Sequence, residues 1–134
     1  MEIIRNLKDY NPLAASVLTI GSYDGIHRGH HDILSAVVNH AHARKIPSVL
    51  VTFDPHTRHI LEPNADKLSL IMSLNQKMDI IHVLGIEIVY IINFTQAFSK
   101  TTAKEFLEKA IIPFFNPEYI IVGYDHHFGN NREG

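Results

Sequence analysis

Apolar residues follow two rhythms along the chain, and each rhythm predicts its own kind of element. Short unbroken runs read as strands buried on both faces: Val17 to Ile20, Ser48-Val49-Leu50-Val51-Thr52-Phe53, Ile86 to Ile92, and Tyr119-Ile120-Ile121-Val122. Between them, spacings of three and four predict helices. Ile33, Leu34, Val37, Val38 and Ala41 stripe a helix from His30 to about Lys45, which Pro47 prevents from continuing. Leu74, Met78, Ile81 and Leu84 stripe a second, with Ser73 and Gln76 as a capping box and Gly85 at its end. Thr102 with Glu105 opens a third, carrying Ala103, Phe106, Leu107 and Ala110 inward, and Pro113 and Pro117 are expected to bracket a turn after it. Residues 1–15 read as a polar lead-in. The alternation predicts an α/β fold: a doubly wound parallel sheet with helices on both faces.

Polar residues of unusual kind collect where the strands end. Three loops, 21–31, 54–59 and 123–132, leave strand carboxyl ends, which share one edge of such a sheet and form the usual ligand crevice. The first is Gly21-Ser22-Tyr23-Asp24-Gly25-Ile26-His27-Arg28-Gly29-His30-His31. Its glycines let the backbone bend sharply and approach a ligand. The helix N-terminus beyond it presents unpaired N–H groups and partial positive charge, a ready anion site. His27 and His30 stand at that positive end, placed to donate hydrogen bonds to phosphate oxygens. The spacing is neither the dinucleotide-binding nor the P-loop pattern.

Composition narrows the classes. The 134 residues suffice for one small domain, with 46% apolar and 19% charged residues. A net charge of −2 gives no general attraction to nucleic acid, so a polyanionic substrate must be met locally, by His27, Arg28, His30, Arg58 or Arg132. No run of about 18 apolar residues predicts a membrane span. The start, Met1-Glu2-Ile3-Ile4-Arg5, has neither the basic nor the apolar region of a signal peptide. Cysteine is absent, which excludes disulfides and thiolate metal sites and fits a cytoplasmic location.

The string Thr19-Ile20-Gly21-Ser22-Tyr23-Asp24-Gly25-Ile26-His27-Arg28-Gly29-His30 resembles the His-x-Gly-His signature of the nucleotidyltransferase superfamily. It is similar in particular to the first motif of the bacterial FAD synthetases, Thr-Ile-Gly-x-Phe-Asp-Gly-Val-His-x-Gly-His. Val51-Thr52-Phe53-Asp54-Pro55-His56 resembles that family's second motif, with Thr57 where proline is usual. The stretch from Val122 to Gly134 resembles a third, Val-Gly-x-Asp-Phe-x-Phe-Gly-x-x-Arg-x-Gly, with His126 where an aromatic is usual. Phe94 with Thr95, and the helix of Glu105-Phe106-Leu107, match in place. The resemblance runs from Thr19 to the end and is to the adenylyl-transferring module of the bifunctional riboflavin kinase/FAD synthetases. The family's later Ile-Ser-Ser-x-x-x-Arg motif and its riboflavin kinase domain lie outside this chain. The chain stops inside a loop at Arg132-Glu133-Gly134, and is expected to be one incomplete nucleotidyltransferase domain of residues 1–134. Its last strand is expected to expose an apolar edge that favours self-association.

The resemblance implies the reaction ATP + FMN giving FAD and pyrophosphate, with Mg²⁺ accompanying ATP. The FMN phosphate attacks the α-phosphorus in line. The nucleophile is already an anion, so the chemistry asks for positioning and charge neutralisation rather than a strong base. His27 and His30 are the implied catalytic residues. Gly21, Ser22, Tyr23, Asp24, His27, Gly29, His30 and Asp125 are the implied ATP contacts; Phe53, Pro55, His56, Phe94 and Phe128 are the implied FMN contacts. Several have a plainer reading as well. Asp24 would brace its own glycine turn, Phe53 would be strand core, and Asp125 with Phe128 would form a capped turn over a core ring. Zinc is the rival for the histidines at 27, 30, 31, 56, 59, 126 and 127. Adjacent histidines can hardly give both rings to one ion, and thiolates are absent, so no protein-bound metal is expected. His40, His42 and His82 fall on helices away from the loops and are assigned no chemical role. Two alternatives stand beside the FMN reading: a sister nucleotidyltransferase using another phosphorylated acceptor, and a nucleotide- or flavin-binding module without turnover.

Overall fold

A computed structural model describes residues 1–8, 10–21, 28–53, 74–92 and 101–121. Five strands occur among them: β1 (Glu2–Ile4), β2 (Ser16–Ile20), β3 (Ser48–Phe53), β4 (Ile88–Ile92) and β5 (Pro117–Ile120). They form one sheet in the order β1-β4-β3-β2-β5, and every pairing is parallel. Helix α1 (Arg28–Arg44) joins β2 to β3, and α2 (Leu74–Leu84) precedes β4. The last helical segment runs through α3 (Ala103–Phe106), a π-helical turn (Leu107–Ile111) and α4 (Ile112–Phe115).

The strand period of two divides the core between two layers. On one face Val17, Leu50, Val89 and Ile91 pack with Leu34, Val37 and Ala41 of α1 and Met78 and Ile81 of α2. On the other, Leu18, Ile20, Val49, Val51, Ile88 and Ile92 pack with Phe106, Ile111 and Phe115 of the last helical segment. The doubly wound parallel architecture expected from the pattern is therefore present, with helices on both faces.

Local signals act as expected at the helix ends. The Thr102 hydroxyl accepts the Glu105 N–H at 3.1 Å, capping α3. Helix α2 ends in a Schellman turn: Gly85 N–H donates to His82 O at 3.0 Å and Ile86 N–H to Ile81 O at 3.4 Å, with Gly85 at φ +100°. Ile86 and Glu87 are used in this turn, so β4 begins at Ile88 rather than at Ile86. Ser48 ties the turn to β3, because its hydroxyl accepts the Glu87 N–H at 2.9 Å.

Two expectations need correction. The lead-in contains β1, which pairs with β4 through Glu2–Ile88, Ile3–Val89 and Ile4–Tyr90. Its partner lies far along the chain, and three residues carry too little periodicity to announce a strand. Nor do Pro113 and Pro117 bracket a turn. The helix passes through Pro113, because the π-helical turn bonds the Ile112 N–H to Leu107 O and places the proline in the first turn of α4, where its missing N–H is not needed. The reversal is made by Asn116 alone, at φ 42° and ψ 57°. On β5, Tyr119 and Ile120 are 46% and 40% exposed. The Arg44 guanidinium lies 4.3 Å from the centre of the Tyr119 ring.

Candidate functional site at the carboxyl edge of the sheet

Strand order fixes where a ligand fits. The chain runs outward from β2 to β3 to β4 and then returns to the other flank of β2 to form β5. Connections thus depart in opposite directions at β2, the switch point where open parallel sheets have a crevice at their carboxyl ends. Gly21 stands there, buried, and its N–H extends the ladder to Val51 O at 3.0 Å. Ile121 N–H continues β5 with a 2.8 Å bond to Leu18 O.

Helix α1 starts at this same edge. It links the carboxyl end of β2 to the amino end of its parallel neighbour β3, so it must run against the strands. Its N-terminal end, with unpaired N–H groups and partial positive charge, therefore sits beside the switch point. Its first turn, Arg28-Gly29-His30-His31, contains no acidic residue. His30 is half-buried, and its Nδ1 atom is shut off from solvent. His31, the next residue, is exposed. At its other end α1 closes with a Schellman turn, Lys45 N–H to His42 O at 3.2 Å and Ile46 N–H to Ala41 O at 3.1 Å.

Of the residues singled out in the sequence, the structure brings Gly21, Gly29, His30 and Phe53 to the carboxyl edge. Phe53 ends β3, half-buried, with its side chain against the core of the second face. The core role anticipated for this ring is thus present. Ser22, Tyr23, Asp24, His27, Pro55, His56, Phe94, Asp125 and Phe128 lie outside the described residues, as does Ser73 of the expected capping box; its partner Gln76 is exposed on α2. His40, His42 and His82 are exposed on helices. His40 Nδ1 lies 3.2 Å from the Arg44 guanidinium. Among the described residues no group of three His, Cys, Asp or Glu stands close enough to hold a metal ion.

Sequence reasoning passed over one residue at this edge. Lys77 is buried, with 1% of its surface exposed, and its ammonium donates to the carbonyl oxygen of Phe53 at 3.4 Å. The signal was positional: 77 lies three residues after Leu74 and four before Ile81, inside the apolar stripe.

Comparison with known proteins identifies a family. The FAD synthetase family profile matches residues 10–134. A protein of Bacillus subtilis named bifunctional riboflavin kinase/FMN adenylyltransferase is 30% identical over 121 residues, covering 90% of this chain and 38% of that protein. The protein of that name from Escherichia coli K12 is 28% identical over 136 residues, covering 100% of this chain and 43% of its own length. The chain thus spans about two fifths of the length of these two relatives. Among solved structures, one from Streptococcus pneumoniae named macrolide-efflux protein superposes with a TM-score of 0.80 at 28% identity, over 97% of this chain and 50% of that one. No helix among the described residues is long and apolar enough to cross a membrane.

Proposed function

The chain belongs to the FAD synthetase family, and from that premise we propose that it is the FMN adenylyltransferase module of its protein, joining ATP and FMN into FAD with release of pyrophosphate. The observation that carries the reading is the N-terminus of α1, set at the β2 switch point with His30 in its first turn and no acidic residue in that turn. That is a donor set for a phosphate chain.

In this reading the ATP phosphates lie against the first turn of α1, and His27 and His30 donate to the oxygens on which charge builds as the α-phosphorus is attacked. The helix N-terminus adds fixed partial charge, which needs no rearrangement during the reaction. The FMN phosphate brings its own negative charge and needs alignment rather than deprotonation. The first turn of α1 offers Mg²⁺ no carboxylate, and in this reading the ion would arrive with ATP; bound to the phosphates it would neutralise charge. Phe53, Pro55, His56, Phe94 and Phe128 are assigned to the flavin, and Ser22, Tyr23, Asp24 and Asp125 to ATP. Aromatic surface such as Phe53 suits a flat ring and is not needed by a pantetheine or glycerol phosphate.

The test is a comparison of acceptors. With ATP supplied, the intact protein should convert FMN to a product that co-elutes with FAD, and should leave phosphopantetheine, glycerol phosphate and nicotinamide mononucleotide unadenylylated. Transfer to one of those three in preference to FMN would assign the chain to a sister chemistry. Binding of FMN and ATP without product would make it a flavin- and nucleotide-binding module.

A further inference from the structure

We propose that the amino edge of the sheet, opposite the candidate phosphate site, carries a second binding site, for a free α-amino acid with an apolar side chain. A cavity of about 380 Å³ opens there, lined by Ala41, His42, Lys45, Ile46, Pro47 and Glu87. Its size lies toward the lower end of the range for small-molecule pockets. The lining is apolar on one side, where Ala41 is buried and Ile46 and Pro47 are half-buried, and ionisable at the exposed His42, Lys45 and Glu87. His42 lies in the last turn of α1 and Lys45 directly beyond it, whereas Glu87 leads into β4. No hydrogen bond or ion pair joins these three side chains to one another. Groups of opposite charge thus face one cavity without neutralising each other.

Backbone bonds hold the walls in place. The Glu87 N–H donates to Ser48 Oγ at 2.9 Å, and the Glu87 carbonyl accepts the Glu2 N–H at 2.8 Å. The Pro47 carbonyl accepts the Val17 N–H at 3.0 Å, and the Ile46 N–H donates to Ala41 O at 3.1 Å. Backbone that is ordered beforehand lowers the cost of binding. Lys45 supplies an independent observation. It occupies the left-handed position of its turn at φ 58°, where glycine is unstrained and where the matching turn of α2 has Gly85. A helix C-terminus favours a cation, but His42 and Arg44 already supply basic side chains in the last turn of α1. A strained residue that lines a cavity is the pattern found at ligand clamps.

The ligand follows from the lining. A carboxylate meets the Lys45 ammonium and the His42 ring, an ammonium meets the Glu87 carboxylate, and an apolar side chain covers Ile46 and Pro47. A plain anion would face the charge of Glu87, and a plain cation that of Lys45. The site does not rest on the FMN reading: its residues stand at the other end of α1, a helix of 17 residues and thus about 25 Å long.

The test is a titration of the intact protein with L-leucine, followed by the backbone amide NMR signals of residues 41–47 and 85–88. Leucine is expected to shift these signals to saturation with a dissociation constant of about 1 mM or tighter. Isocaproate lacks the ammonium of leucine and isoamylamine lacks its carboxylate; each should bind about tenfold more weakly or worse, as loss of a hydrogen bond to a charged group implies. Lys45→Gly and Glu87→Gln should each weaken leucine by about the same factor. Lys45→Gly should do so while melting at or above the wild-type midpoint, which separates a ligand contact from a structural one. Absence of a saturable shift with leucine at about 10 mM, ten times the expected constant, would overturn the site. So would unchanged leucine affinity in both variants. Equal affinity for leucine and either of its two fragments would overturn the assignment to an amino acid.

Discussion

Gly85 presses against Val38: a methyl group added at Gly85 would come 3.2 Å from Val38 Cγ1, closer than side chains normally approach. The contact joins the C-terminal turn of α2 to α1, the helix whose other end carries the candidate phosphate site. Gly85 also has φ +100°, where an L side chain is strained. Gly85→Ala should therefore cost stability twice, through backbone strain of about 1–2 kcal/mol and through displacement of Val38. Urea denaturation should show a lower midpoint with an unchanged slope.

The matching turn of α1 predicts the opposite sign. Lys45 occupies the left-handed position of that turn at φ 58°. Glycine there removes strain of about 1–2 kcal/mol but loosens the unfolded chain by about 0.5–1 kcal/mol. Lys45→Gly should thus stabilise by a few tenths to about 1 kcal/mol. Equal or lower stability in the same denaturation measurement would contradict the assignment of strain to Lys45.

The core of the second face should respond to alkali. Tyr90 packs its ring 5.9 Å from that of Phe115, and burial pushes its phenol above its usual value. The sign follows from proton binding. As pH rises past about 10, where a free phenol ionises, the unfolded state loses this proton more readily than the folded state, so stability falls. Below that range the group contributes no pH dependence. Tyr90→Phe should flatten the decline in unfolding free energy measured from pH 9 to 11. Tyr10, raised by burial and then by the charge of Glu2, should leave a residual slope of the same sign.

Much of this architecture could be read directly from periodicity. The run Val17–Ile20, the stripe Leu34-Val37-Ala41 and the run Val49–Phe53 specify β2-α1-β3 because one face or both faces of each element are buried. The Thr102 cap and the Gly85 turn were legible because each rests on local backbone chemistry. What escaped depends on distant partners. β1 exists only by pairing with β4, and Pro113 is tolerated only because the preceding turn widens. Strand order likewise decides which loop faces the switch point, and no local pattern announces it. At the site, the glycine-histidine motif pointed to the N-terminus of α1, whereas Lys77 was hidden by its residue type: lysine on a helix reads as surface unless its place in the stripe is checked. Phe53 carried two readings in the sequence, and the structure supplies the core one directly.

The most direct test of adenylyl transfer at the α1 N-terminus is FAD formation from ATP and FMN by the intact protein and by its His27→Ala and His30→Ala variants, with FMN affinity measured alongside. If the two imidazoles stabilise charge on the transferring phosphate, each substitution should raise the barrier by about 2.7–4 kcal/mol, a fall in turnover of about 10²- to 10³-fold, with FMN affinity held within threefold. Turnover within twofold of wild type in both variants would contradict the account.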